Sequence, residues 1–321
     1  VQDIVIPSEE VALQMYPMDF EEFLWAYGDN ATVPLLRQCY DTLKPLGSAA
    51  AQNMLRKYRL YMLVGGMPQA VLAYKNNSRD FASADIEKRD ILELYRDDIK
   101  KAARHYNSKV SAIFENIPAY LSTHEKKVVL RSIDEGAVFD KYDEPLFWLD
   151  DSMICNLCYK CNDPNVGFSL NKNDSAVKCY LGDTGLLVSL AFNENELAEN
   201  RLYKQILDGK LSINQGMLYE NAISQMIIAK GKKLFFYTRY NLEKHRNDIE
   251  IDFLLSNDSK TNMKIIPIEV KSSQNYSTIS LDKFREIYKR RISEAVIIHP
   301  KNIVIEEDLV RIPPYMFFAA F

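Results

Sequence analysis

Three residues in the last third of the chain, Asp252, Glu269 and Lys271, have the types and the spacing of a hydrolytic site. Asp252 lies in one apolar run that predicts a strand, and Glu269 and Lys271 lie in the next. Because side chains alternate along a strand, Glu269 and Lys271, two residues apart, point to the same face. A hairpin between the strands brings Asp252 beside them, and Glu220 on the preceding predicted helix completes the group.

Three carboxylates and one lysine on one face predict a site for a divalent cation. Carboxylates held close repel each other, and one of their pKa values rises unless a cation lies between them. Mg²⁺ takes oxygen ligands from one or two carboxylates and keeps several waters. We therefore expect Asp252 and Glu269 to hold the ion and Glu220 to assist. Lys271 is expected to position the water that attacks a phosphate, which makes all four predicted catalytic residues.

The same residues have a structural alternative, a buried ion-pair network that does no chemistry. Lys271 would then neutralise Glu269, and Asp252 would cap a turn after Asn247 and Asp248. The fold could also be inherited while catalysis has lapsed. The sequence leaves these alternatives open.

Three segments are locally basic, although the chain has a formal net charge of −4. Residues 230–249 contain six basic and two acidic side chains, residues 282–291 five and two, and residues 100–141 eight and five. Clustered Lys and Arg are typical of surfaces that follow phosphates, although charged loops are more commonly just solvated. DNA is the partner that these segments favour.

The cysteines and histidines give weaker signals. Cys155, Cys158 and Cys161 have C-x2-C-x2-C spacing, and Cys179 follows, a pattern shared with zinc and iron–sulfur sites. Residues three apart on a strand face opposite sides, so we expect buried or edge thiols instead. The four histidines are isolated from any Ser or Cys nucleophile motif, and nothing supports acyl transfer.

Hydrophobic periodicity separates two mainly helical parts from a third that alternates helices and strands. Residues 19–106 have helical spacing, interrupted at Gly65-Gly66-Met67-Pro68. Within residues 107–192, helices followed by two strands have the order of a winged helix. The predicted helices are 108–122, 126–135 and 145–151, and the strands are 154–161 and 177–180. The third part predicts a helix at 215–229, strands at 233–240, 250–256 and 264–273, a helix at 281–291 and a strand at 294–299.

Several motifs together resemble one large prokaryotic family of AAA-type ATPases. Asp252 followed by Glu269-Val270-Lys271 resembles the PD-(D/E)xK motif of the restriction-endonuclease-like fold, although Ile251 stands where that motif has Pro. Further similar segments follow the family's order along nearly the whole chain. They are Met15-Tyr16-Pro17-Met18-Asp19-Phe20-Glu21-Glu22-Phe23, Gly65-Gly66-Met67-Pro68, Asp90-Ile91-Leu92-Glu93-Leu94-Tyr95-Arg96-Asp97-Asp98-Ile99 and Gly182-Asp183-Thr184-Gly185-Leu186.

The resemblance implies a multidomain α/β protein, α+β overall, with three domains. Residues 1–106 would be the helical C-terminal remnant or lid of the ATPase module, 107–192 a winged helix, and 193–321 a PD-(D/E)xK nuclease-like domain. The chain contains no G-x-x-x-x-G-K-[ST] loop, so ATP binding is expected only in a longer chain whose P-loop lies upstream of Val1.

Composition narrows the class of protein further. Apolar residues make up 47% of the 321 residues, and no apolar run approaches the 18 or so residues that span a bilayer, so no membrane partner is expected. Five cysteines favour the reducing cytoplasm. The expected function is nucleic-acid binding with a Mg²⁺-dependent nuclease site. The alternatives are a non-catalytic DNA- or protein-recognition module that regulates the ATPase, and a structural oligomerisation piece, with a homo-oligomer left open.

Overall fold

The computed structural model of the chain describes residues 13–128, 142–192, 200–208, 215–257 and 263–321. Within them the fold is mixed α/β, with helices and two mixed sheets. The structure therefore confirms the mixed class. No helix in these ranges is both long enough and apolar enough to cross a membrane.

The N-terminal part is helical, as predicted. Helix α1 begins at a reciprocal cap, in which Asp19 accepts from the backbone of Glu22 and the Glu22 carboxylate accepts from the backbone of Asp19, each at 2.9 Å. The helices are α1 (Phe20–Ala26), α2 (Thr32–Asp41), α3 (Ser48–Val64), α4 (Pro68–Asn76), α5 (Phe81–Ala102) and α6 (Asn107–Ser122).

The next part contains the two predicted strands but departs from the predicted helices at one place. Residues Lys126–Val128 are not helical, because the Val128 N–H donates 2.9 Å to the Val177 carbonyl of a strand. The rest of the helix predicted at 126–135 lies outside the described residues. The elements here are α7 (Asp143–Asp151), β1 (Cys155–Cys161), β2 (Lys172–Leu181), α8 (Thr184–Ala191) and α9 (Asn200–Leu207).

The C-terminal part begins with α10 (Gln215–Ala229), β3 (Leu234–Asn241) and β4 (Arg246–Ile251). The first sheet has the order β2-β1-β3-β4, in which β1 pairs antiparallel with β2 and parallel with β3. The strands predicted for the winged helix thus share a sheet with strands predicted for the nuclease-like domain. The division into three domains stays a prediction.

The second sheet carries the remaining strands in the order β5-β6-β7-β9-β8. The strand predicted at 250–256 is divided at Asp252, where the chain passes from β4 in the first sheet to β5 in the second. Strands β8 and β9 and the last helix were not predicted. The elements are β5 (Phe253–Asn257), β6 (Lys264–Val270), α11 (Ile279–Tyr288), β7 (Ala295–Ile298), β8 (Val304–Glu306), β9 (Leu309–Ile312) and α12 (Phe317–Ala320).

Two glycine-containing motifs, far apart in sequence, pack against each other. The Asp183 carboxylate caps α8 by accepting from the Leu186 N–H at 2.9 Å, and it also accepts from the Gly66 N–H. Gly65 has φ +89°, which favours glycine, and a Cβ there would collide with Asp183. The Asp183 carboxylate therefore joins the turn after α3 to the start of α8.

The buried His299 links the second sheet to the segment between α2 and α3. Its Nδ1 lies 2.9 Å from the Tyr276 hydroxyl and its Nε2 3.2 Å from the Asn302 carbonyl, while the Asn302 amide donates to the Leu46 carbonyl at 2.6 Å. Burial lowers the pKa of His299 to about 4. The imidazole is therefore neutral in the folded protein near neutral pH.

We expect His299 to make the protein less stable as the pH falls. Above the unfolded-state pKa of about 6.5 the ring is neutral in both states. Between that value and about 4 the unfolded chain takes up the proton and the folded chain does not, so the free energy of unfolding falls by up to about 3 kcal/mol. Urea titrations at several pH values, compared with His299→Gln, measure this loss. An equal fall in the free energy of unfolding of His299→Gln would contradict this role of His299.

Candidate active site

The structure brings all four predicted site residues into one cleft of about 990 Å³. Glu220, Asp252, Glu269 and Lys271 line its interior. The cleft is bordered by the segment after α6, the β3–β4 hairpin and the start of α11, and its border is polar with charges of both signs. The border residues include His124, Glu125, Tyr240, Lys244, His245, Arg246, Asp248, Glu250 and Lys283.

The step between the two sheets places Asp252 beside the end of β6. Phe253 pairs with Ile268, so continuing the antiparallel register by one residue puts Asp252 opposite Glu269, with both side chains on one face. Oδ2 of Asp252 accepts from the Val270 N–H at 2.8 Å, which fixes the carboxylate against β6.

Glu269 is buried, with 1% of its surface exposed. Lys271 Nζ lies 2.8 Å from its Oε2, but this contact lacks the direction of a hydrogen bond, and neither carboxylate oxygen has a hydrogen-bond donor among the described residues. Burial raises the pKa of Glu269 to about 7, against the opposing effect of Lys271. Glu269 is therefore held by an ion pair with Lys271, and its Oε1 is the oxygen left to bind a cation.

Asp252 has the opposite electrostatic character. Burial by itself raises the pKa of this carboxyl, but the ammonium groups of Lys178, Lys126 and Lys271 outweigh burial and hold the pKa below its usual range. Asp252 is therefore a carboxylate at neutral pH, next to a Glu269 that is partly protonated.

Glu220 faces two lysines and a tyrosine. Its Oε1 pairs with Lys126, and its Oε2 accepts from the Tyr180 hydroxyl at 3.1 Å and lies 3.8 Å from Lys178 Nζ. Both oxygens of Glu220 thus have partners, so this carboxylate is neutralised within the cluster.

Two lysines of this group were not predicted from the sequence. Lys178 is fully buried in β2, and Lys126 follows α6, so both come from a part of the chain far from the motif. The signal for Lys178 was present as a single charge inside the apolar run Ala176-Val177-Lys178-Cys179-Tyr180. A buried lysine requires a carboxylate partner, and that partner cannot be identified from the run itself.

Part of the basic sequence that flanks the motif lies at the cleft, and part is paired elsewhere. Lys244, Arg246 and Lys283 line the cleft. Arg285 and Arg291 instead pair with acidic groups outside it, Asp308 and Asp163.

The donor set limits which metal site the cleft could form. In the described ranges no three His, Cys, Asp or Glu side chains are grouped so that they could hold a metal ion. The predicted pair, Asp252 and Glu269, supplies two carboxylates and leaves the other positions to water, which fits Mg²⁺. The five cysteines, including the C-x2-C-x2-C set in β1, are buried free thiols.

Two protein-family models match parts of the chain. A model described as domain of unknown function DUF8612 matches residues 55–197, and one described as domain of unknown function DUF4143 matches residues 215–316. The second is a domain known to accompany AAA-type ATPases. No curated protein and no solved structure matches the chain significantly. Lys126 and Lys178 lie in the first matched region, and the four predicted residues lie in the second.

Proposed function

We propose that the cleft is a Mg²⁺-dependent site for cleaving phosphodiester bonds in DNA, in a chain related to AAA-type ATPases. The observation that carries this proposal is the convergence of Asp252, Glu269 and Lys271 in one open cleft. The two carboxylates suit a divalent cation, and Lys244, Arg246 and Lys283, which also line the cleft, suit the phosphates of a nucleic acid.

The element order supports the proposal. Helix α10, strands β3, β4–β5 and β6, helix α11 and strand β7 follow the order of the PD-(D/E)xK core. The motif residues lie where β4 passes into the edge strand β5 and at the end of its neighbour β6. Helices α6 and α7 followed by the antiparallel pair β1 and β2 have the order of a winged helix. ATP hydrolysis would require a P-loop, which this sequence does not contain.

The proposed roles follow from the surroundings of each side chain. Asp252 and Glu269 would hold Mg²⁺, which supplies a Lewis acid for the phosphate and a more acidic water. Because the pKa of Glu269 is about 7, this carboxyl can exchange its proton for a cation near neutral pH. Lys271, 2.8 Å from Glu269, is placed to orient the attacking water through an N–H donor.

Incubation with single-stranded, duplex and branched DNA in Mg²⁺ tests the proposal. We expect at least one form to be cleaved, cleavage to stop in EDTA, and Asp252→Asn to be inactive. Absence of Mg²⁺-dependent cleavage of all three forms would overturn the proposal.

A second candidate is recognition of DNA without cleavage, which would regulate an ATPase. The aromatic residue Tyr240 favours this second function. It lines the cleft with 52% of its surface exposed, and Lys244 and Arg246 of the same hairpin line the cleft as well. Aromatic rings next to basic side chains are typical of single-strand binding, in which bases stack and phosphates pair with cations.

We expect Tyr240→Ala to weaken binding of single-stranded DNA by about 5- to 150-fold, since stacking contributes about 1–3 kcal/mol per base. Tyr240→Phe keeps the ring and should bind normally. Leu242→Ala removes a neighbouring exposed side chain that does not line the cleft, so it is the matched control. Fluorescence anisotropy at fixed salt measures the affinities, and equal affinity of Tyr240→Ala and the parent would contradict stacking.

A further inference from the structure

Lys178 provides a positive charge inside the acidic cluster. Its side chain is fully buried, and its Nζ lies 3.7 Å from Oδ1 of Asp252 and 3.8 Å from Oε2 of Glu220. The same atom lies 5.1 Å from the centre of the Phe236 ring and has no hydrogen-bond partner among the described residues. The ammonium therefore interacts with the two carboxylates through charge rather than through directed hydrogen bonds.

The surroundings keep Lys178 charged. Its ammonium is fully buried and lies within 4 Å of two carboxylates, and a buried lysine is kept charged by such pairing. A permanent cation thus lies between the carboxylates of Glu220 and Asp252.

The remaining oxygens of these two carboxylates also have partners. Oδ2 of Asp252 accepts from the Val270 N–H, and Oε1 of Glu220 pairs with Lys126. A divalent cation between Glu220 and Asp252 would meet the ammonium of Lys178 in a buried environment, where like charges repel strongly. Glu269 lies opposite Asp252 across the β5–β6 pair. Its Oε2 pairs with Lys271, and its Oε1 has no hydrogen-bond partner among the described residues.

We propose that Lys178 is a built-in cation that takes the place of a second metal ion, so that the cleft binds a single divalent cation at Asp252 and Glu269. This inference rests on the proposed function and deepens it by fixing the number of ions. Lys178 acts through Asp252 and Glu220, so it is a positioning residue. It comes from β2, in the region matched by the first family model, so that region supplies part of the site.

Counting bound Mn²⁺ tests the inference without an activity assay. Isothermal titration and electron paramagnetic resonance of the full chain should give about one ion per chain. Lys178→Met removes the ammonium group and leaves the charges of Glu220 and Asp252 uncompensated. This variant should therefore bind about two Mn²⁺ ions per chain. The double variant Lys178→Met with Glu220→Gln removes one positive and one negative charge and should bind about one again.

The outcomes separate the inference from the proposed function. Two ions in the parent chain, or a single ion in Lys178→Met, would overturn the role of Lys178 and leave a metal site in place. No ion in the parent chain would overturn the proposed metal-dependent function itself. Where Lys178→Met folds poorly, added Mn²⁺ should raise its melting temperature more than that of the parent, and an equal rise would contradict the inference.

Discussion

Asp252→Asn should lower Mg²⁺-dependent DNA cleavage by about 10³-fold or more. The substitution keeps the shape of the side chain and an oxygen that can accept from the Val270 N–H. It removes the charge that would hold the cation. If the ion contributes about 4 kcal/mol to stabilising the transition state, its loss corresponds to about 10³-fold in rate. Single-turnover cleavage of labelled DNA measures the rate constant.

Asp248→Asn is the matched control for this prediction. Asp248 lines the same cleft, but its carboxylate pairs with Arg239 at 2.7 Å on the rim. It should therefore leave the cleavage rate within a few-fold of the parent. Binding of DNA and thermal unfolding of both variants show that the folds are intact. Cleavage by Asp252→Asn at the parental rate would contradict a metal-ligand role, and equal losses in both variants would indicate a general effect of charge in the cleft.

The proximity of Asp252, Glu269 and Lys271 could be predicted because their relation is local. The two-residue spacing of Glu269 and Lys271 fixes a shared face, and a hairpin from Asp252 supplies the opposite position, as the register of β5 and β6 bears out. Lys178 and Lys126 could not be predicted in the same way. Their proximity to Glu220 depends on how β2 and the segment after α6 pack against α10, which is a long-range property.

The fold, too, could be predicted from the sequence only where it depends on local patterns. Helix α10 was predicted at its observed bounds, whereas the pairing of β1 with β3 was not predicted. Parallel pairing joins strands that are separated by a long connection, so no local sequence pattern predicts it. The break at Asp252 was also missed, because strand-forming apolar residues continue on both sides of it, Ile251 before and Phe253 after.

Gly185→Ala should lower the free energy of unfolding by about 3 kcal/mol, although alanine is the better helix former. Gly185 lies in α8, where propensity by itself would favour Ala by about 1 kcal/mol. A Cβ at this position, however, would lie 2.5 Å from the Val64 carbonyl oxygen and 2.6 Å from the Gly65 Cα. Both are backbone atoms, so the strain cannot be relieved by a rotamer change, and the neighbouring Gly66 N–H is fixed by the Asp183 carboxylate. Overpacking of this kind costs about 1–3 kcal/mol or more.

Gly47→Ala is the control for Gly185→Ala, because it adds the same methyl group at a glycine that no other backbone approaches. Gly47 precedes α3 with φ −56°, and a Cβ there would meet no atom within 4 Å, so Ala should change the free energy of unfolding by less than about 1 kcal/mol. Urea denaturation followed by tryptophan fluorescence measures both variants. Because helix propensity and steric overlap predict opposite signs at Gly185, the sign alone distinguishes them. A stabilised Gly185→Ala would mean that α3 and α8 do not touch through their backbones, and the contact between the two glycine-containing motifs would be wrong.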